Sequence, residues 1–188
     1  MEQKIPLRRI GREEMLARVA RFGALKGHDG GLPDSNIPGS YRTLINVIGF
    51  QPPAGEGEVH APVGADAARD AAIKIAEGFN LGYVRCKPGN GPLMHNHDTN
   101  ETFIPMTGRW RCSWDEEETE SVDLGPLDVV SFPPGVARRF ENVTFDEPDK
   151  EHVLMLVIAG DAPAAEFTPR ALETVERFER QAEERRHA

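Results

Sequence analysis

The chain has 188 residues, 39% of them hydrophobic and 28% charged, which suits one domain with a sizeable core. Asp and Glu outnumber Lys and Arg by 31 to 22, and the formal charge of −9 argues against nucleic acid or an anionic membrane as the main partner. The first residues are too polar for a secretory signal, and the longest apolar run, 153–159, is too short to span a bilayer, so a soluble, cytoplasmic protein is expected.

In chain order, residues 11–22 predict a short amphipathic helix. Met15, Val19 and Phe22 fall at helical spacing, and Glu13 and Glu14 sit in the first turn. Residues 23–40 are rich in Gly, Pro, Asp and Asn and predict a loop. Residues 41–50 predict a strand. Residues 51–68 predict a long surface loop, either an active-site lid or an inert insertion, and 66–76 a short helix. Residues 79–86 predict the next strand.

Residues 101–106 and 109–114 predict a hairpin turning at Thr107 and Gly108. Trp110, Cys112 and Trp114 alternate with polar residues, as in a half-buried strand. The acidic run Asp115 to Glu118 predicts a solvated hairpin tip. Further strands are expected at 121–124, 128–132 and 137–143, with a turn at Pro133 to Gly135. Residues 153–159 predict the last strand. Thr168 is a candidate N-cap with Pro169 at the first helical position. Leu172, Val175 and Phe178 continue at helical spacing, and fraying is expected from residue 179. There is no internal repeat. The pattern is that of an all-β sandwich or barrel.

One stretch carries chemistry. His95, His97 and Glu101 are spaced H-x-H-x-x-x-E. In an extended strand the two histidines share a face. Glu101 rejoins that face if the chain stays extended or turns compactly at Asp98 to Asn100. Two imidazoles and a carboxylate form a ligand set for a divalent transition metal: iron, manganese, nickel or zinc. Hydrogen-bonded polar residues without a metal are the alternative.

The flanks extend the motif. With Gly89 before it and Gly108 after it, the stretch reads G-x5-H-x-H-x3-E-x6-G and resembles the first motif of the cupin superfamily. Pro133, Gly135 and Asn142 match the second motif, with Gly125 slightly further upstream than usual. Arg138 stands where most metal-binding cupins place their last histidine. The resemblance implies a cupin jelly-roll β-barrel over residues 40–160, an N-terminal helical arm and loop at 1–39, a C-terminal helix at 161–188, and a homodimer.

Arg138 has no lone pair to give a metal. Turned inward, it pairs with Glu101 or clamps an anionic substrate beside the metal as a catalytic residue. Turned outward, it exchanges places with Arg139. Tyr83, Trp110 and His152 are further candidates for the substrate pocket. His152 is also a candidate replacement ligand or base, and His60 a loop residue able to close over a pocket. Asn142 reads as a turn or strand-end residue. Cys86 and Cys112 lack C-x-x-C spacing and read as buried reduced thiols.

The resemblance implies a metal-dependent enzyme, dioxygenase-like or an isomerase or lyase, acting on a small anionic metabolite. The competing expectation is a non-catalytic small-molecule binding or sensing barrel without metal, marked by a Glu101–Arg138 ion pair. A storage role fits poorly with inward ligand residues.

Overall fold

Every second side chain is buried along 79–86 and again along 152–159. That alternation places each strand with one face on a core and one face outward. The structure is a computed structural model that describes residues 4–51 and 59–187; residues 52–58 of the expected long loop lie outside the described residues.

The described residues form ten strands: β1 (Thr43–Ile48), β2 (Phe79–Cys86), β3 (His95–His97), β4 (Glu101–Pro105), β5 (Trp110–Trp114), β6 (Glu120–Leu124), β7 (Val130–Phe132), β8 (Arg138–Asn142), β9 (His152–Ala159) and β10 (Ala165–Phe167). They form two five-stranded antiparallel sheets, in the orders β1-β2-β9-β4-β7 and β10-β3-β8-β5-β6. The inner faces enclose one core. Phe103, Trp110, Leu154, Ile158 and Val84 are wholly buried there, and Phe140 packs edge-on against both Phe103 and Trp110, at 5.2 and 5.8 Å between ring centroids.

Among the described residues three α-helices flank the sheets: α1 (Arg12–Leu16), α2 (Gly64–Ala68) and α3 (Pro169–His187). Helix α1 is shorter than the periodicity of 11–22 suggests. None of its residues is buried, and a short helix without packing support does not propagate. Helix α2 starts earlier and stops sooner than 66–76. Ile73 leaves the helical path to bridge Ile48 on the edge of β1, where it is buried. Helix α3 begins as expected, with Thr168 Oγ1 accepting from the Ala171 amide at 3.4 Å. It does not fray at 179. Ala171 and Val175 form its buried face, whereas Leu172 is exposed.

Two expectations about strands are corrected. The segments at 101–106 and 109–114 are not a hairpin. β4 pairs with β7 and β9 in the first sheet, and β5 pairs with β6 and β8 in the second. Gly108, at φ +73°, turns the chain across the core instead of back along its own strand. Nor is β9 the last strand: β10 follows it, pairs with β3, and carries the second sheet beyond the expected limit at residue 160.

The acidic run at 115–118 is a β5–β6 tip, but it also docks helix α3. Glu117 pairs with Arg170 at 2.9 Å, and Glu116 accepts the Arg170 amide at 3.4 Å. The first turn of α3 has no acid of its own, and the tip supplies the negative charge that the helix N-terminus favours.

Candidate metal centre

Strand β3 is buried–intermediate–buried, so His95 and His97 both turn inward from the second sheet. The chain then turns at residues 98–100 and enters β4, which places buried Glu101 on the first sheet. The three residues therefore face one another across the core rather than sharing one wall. One ligand atom from each lies within 4.8 Å of the others.

Each imidazole is oriented by a backbone carbonyl. His95 Nδ1 lies 2.9 Å from Leu93 O, and His97 Nδ1 lies 3.1 Å from Ala164 O. A carbonyl accepts only, so Nδ1 carries a proton in both rings, and Nε2 is the atom left to face the core. Metal-binding histidines are typically held in this way. Among the described residues His97 Nε2 is buried without a hydrogen-bond partner, 3.2 Å from Glu101 Oε2. Two acceptors facing at that distance repel unless a proton or a cation lies between them. The residues present thus fit a divalent metal ion.

The electrostatics agree. Burial, with the His97 ring beside it, pushes His95 down to about 3, so its ring is neutral near pH 7. Burial by itself raises the Glu101 carboxyl. The His97 ring and the Arg138 guanidinium outweigh it and hold that carboxyl at about 2. A neutral His95 imidazole and an ionised Glu101 carboxylate are protonation states a metal requires.

Arg138 is wholly buried and turns inward, with outward Arg139 paired to Glu118. Its Nε donates to Glu101 Oε2 at 3.0 Å, its Nη1 donates to Val136 O at 2.7 Å, and Phe132 lies 6.0 Å away under the guanidinium. It backs Glu101 and does not form part of the cavity wall, so the expected substrate clamp is not what the geometry shows.

The cavity at the centre measures about 20 Å³ and is walled by His95, His97, Glu101, Arg42, Phe140 and Leu156, with Leu32 and Pro62 contributed by loops. That is room for one or two waters. Arg42 is the residue that sequence reasoning missed. It opens the first strand region, is almost fully buried, and pairs with buried Asp34 at 2.8 Å. An arginine three residues after the Pro38-Gly39 pair carries no motif that singles it out.

The other candidates do not converge. Tyr83 lies on the outer face of β2, edge-on to Phe22 at 5.4 Å. Trp110 is core, its Nε1 donating to Thr107 O at 2.9 Å. His152 is buried on β9 six residues from Ile158, the residue opposite Glu101. At strand rise that is about 20 Å away, so His152 is neither replacement ligand nor base here. His60 pairs with Ala165 and sets its ring 6.1 Å from Phe167, which in turn flanks His95 at 6.2 Å. Asn142 holds a strand end: its Nδ2 donates to Cys86 O, and its Oδ1 accepts the Thr144 amide. Burial pushes both thiols, Cys86 and Cys112, up to about 12, which leaves them unreactive.

No family model matches the sequence, and no curated protein matches it. Solved structures do match. A sugar phosphate isomerase of the cupin superfamily from Silicibacter pomeroyi aligns over 80% of this chain and 82% of its own, at TM-score 0.51 and 16% identity. The oxalate decarboxylase of Lactobacillus farciminis, in a formate complex, aligns over 81% of this chain and 36% of its own, at TM-score 0.50 and 12% identity. Vicilin from Capsicum annuum aligns over 67% of this chain and 30% of its own, at TM-score 0.46 and 12% identity. The chain thus spans about a third of the decarboxylase and vicilin chains. No helix among the described residues is long and apolar enough to cross a membrane. With two facing antiparallel sheets and an H-x-H strand opening into their core, the chain has the fold of the cupin superfamily.

Proposed function

We propose that this protein is a metal-dependent enzyme acting on a small anionic molecule held in the barrel. The reading is carried by the two imidazoles, each of which commits Nδ1 to a carbonyl and leaves Nε2 free beside a buried carboxylate. His95, His97 and Glu101 would hold the ion: iron, manganese, nickel or zinc. A bound metal of this kind supplies Lewis acidity or O₂ activation at its open positions. The protein's own part is to orient and to exclude. Phe140 and Leu156 keep bulk water from the ligands, and Arg138 keeps Glu101 ionised and in place.

Charge points to the substrate class. One carboxylate does not offset a dication and the Arg138 guanidinium in a buried site, so an anion completes the balance. Oxalate and sugar phosphate, named for two proteins of this fold, are both small anions, which supports an isomerase or lyase reaction ahead of a dioxygenase-like one. A cavity of about 20 Å³ takes the ion and little else. The substrate therefore presents few atoms to it, or displaces Leu32 and Pro62.

One observation favours a second reading, a binding or sensing barrel without metal: the Glu101–Arg138 ion pair, at 3.0 Å. That contact uses a single guanidinium nitrogen and a single carboxylate oxygen, so it does not take the carboxylate from the metal outright. Elemental analysis of untagged protein separates the two. Near-stoichiometric metal in the wild type, lost in His97→Ala, supports the enzyme. A metal-free wild type, with metal appearing in Arg138→His, puts the binding module first.

A further inference from the structure

The two imidazoles share more than a carbonyl. Leu93, whose carbonyl orients His95, donates its own amide N–H to Asp34 Oδ2 at 2.9 Å. Ala164, whose carbonyl orients His97, donates its amide N–H to Asp98 Oδ1 at 2.9 Å. Each ring is thus set by a residue that an aspartate grips from behind.

The arrangement has a physical reason. Leu93 lies before β3 and Ala164 just before β10, outside the strands themselves; the Asp98 amide also donates to Ala164 O at 3.4 Å, so Asp98 holds Ala164 through backbone and side chain together. A carbonyl orients an imidazole only if its own residue stays put. A carboxylate acceptor is a strong anchor for a lone amide. Asp34 supplies it for Leu93 and Asp98 for Ala164. The two anchors differ in strength. Asp34 is wholly buried and locked by Arg42, whose Nη2 donates to Asp34 Oδ1 and whose Nη1 donates to Ser40 O, both at 2.8 Å. Asp98 is exposed.

Resting on the metal reading above, we propose that Asp34 and Asp98 are positioning residues of the metal centre. Each clamps the residue whose carbonyl sets one imidazole, and the buried Asp34–Arg42 pair makes the loop before β1 a working part of the site. Groups that hydrogen-bond a ligand directly are typically worth about 10- to 100-fold in metal affinity; Asp34 and Asp98 act one bond further out, so the lower end of that range is expected.

Two readouts test it: Zn²⁺ affinity by chelator competition, and the ring tautomers of His95 and His97 by ¹⁵N NMR in the metal-free protein. Asp34 alone is a poor target, because its loss leaves Arg42 buried and uncompensated. The double variant Asp34→Leu with Arg42→Met removes both charges and keeps the volume apolar. It is expected to unfold with the wild-type cooperativity, to bind Zn²⁺ about tenfold more weakly, and to show mixed tautomers at His95 with His97 unchanged. Asp98→Ala is expected to do the same at His97, by a smaller factor because its anchor is exposed. Asp98→Asn keeps an acceptor and is expected to restore the wild-type tautomer. Wild-type tautomers and affinity in both the double variant and Asp98→Ala would overturn the proposal. A wild type that takes up no Zn²⁺ overturns the proposed function, while the tautomers still decide the positioning role.

Discussion

Arg138 Nε donates to Glu101 Oε2 at 3.0 Å, and neither side chain is more than 3% exposed. The position where most metal-binding cupins carry a ligand is here occupied by the partner of Glu101, a proposed ligand. Removing one member of a buried ion pair leaves the other charge uncompensated, at a cost of about 3–5 kcal/mol. Arg138→Met is therefore expected to lower the stability of the metal-free protein by about that amount in urea unfolding. Saturating metal is expected to recover much of the loss, because a bound cation takes over the compensation of Glu101. A metal-free Arg138→Met variant as stable as wild type would show that the pair does not hold the site together.

Acid is expected to weaken the fold in two stages. The ordinary value of a histidine is 6.5, and His95 is held at about 3. As pH falls through that window the unfolded chain binds a proton that the folded ring refuses, so stability drops. Glu101 acts in the same direction from 4.5 down to about 2. Its contribution is complete above 4.5 and is lost as pH falls toward 2. Denaturant unfolding followed from neutral pH downward should show a first decline below 6.5 and a steeper one below 4.5. Glu101→Gln should flatten only the lower stage. Stability that stays level from neutrality to pH 4.5 would contradict the buried neutral state of His95.

Much of this was legible in the sequence, for local reasons. Period-two alternation marks β2 to the residue, and H-x-H spacing states that both histidines share a face. What was not legible depends on long-range pairing. Thr107 and Gly108 look like a hairpin turn, because turn chemistry is local, whereas the partners of β4 lie on β7 and β9. β10 is three residues long and earns its strand character only by pairing with β3. Glu101 was expected on the histidines' wall, yet it faces them from the other sheet, which spacing along one chain does not reveal. Trp110 and Tyr83 looked like pocket residues by type. Burial sends one to the core and the other to the outer face.

The end of the barrel remote from the proposed metal centre offers a control. Gly108 sits at φ +73°, and a Cβ there would lie 2.5 Å from the His152 ring and 2.6 Å from Thr144 Oγ1. Gly108→Ala combines left-handed backbone strain with a steric clash against buried groups, and is expected to cost roughly 2–4 kcal/mol. The metal content per folded molecule should not change, since His152 lies about 20 Å along β9 from the Glu101 row. A shifted unfolding midpoint with unchanged elemental analysis is the expected pair of results. Loss of metal at full folding would tie the two ends of the barrel together.

Helix α1 buries none of its residues, and the arm around it leaves Leu7 83%, Leu16 49% and Phe22 51% exposed. The arm meets the barrel at Tyr83, where Phe22 packs on it. Tyr83, Met155 and Ile104 form an apolar row across the outer face of β2, β9 and β4. An antiparallel sheet facing water usually presents polar residues there. We propose that a second copy of this chain covers the exposed apolar side chains of the arm and this sheet face. Light scattering is predicted to give a homodimer at micromolar concentration. Leu16→Glu with Phe22→Glu is predicted to shift it to monomer, with the far-ultraviolet circular dichroism of the sheets unchanged. A wild-type monomer at the highest soluble concentration would remove the homodimer and leave the arm as an intramolecular cover for Tyr83.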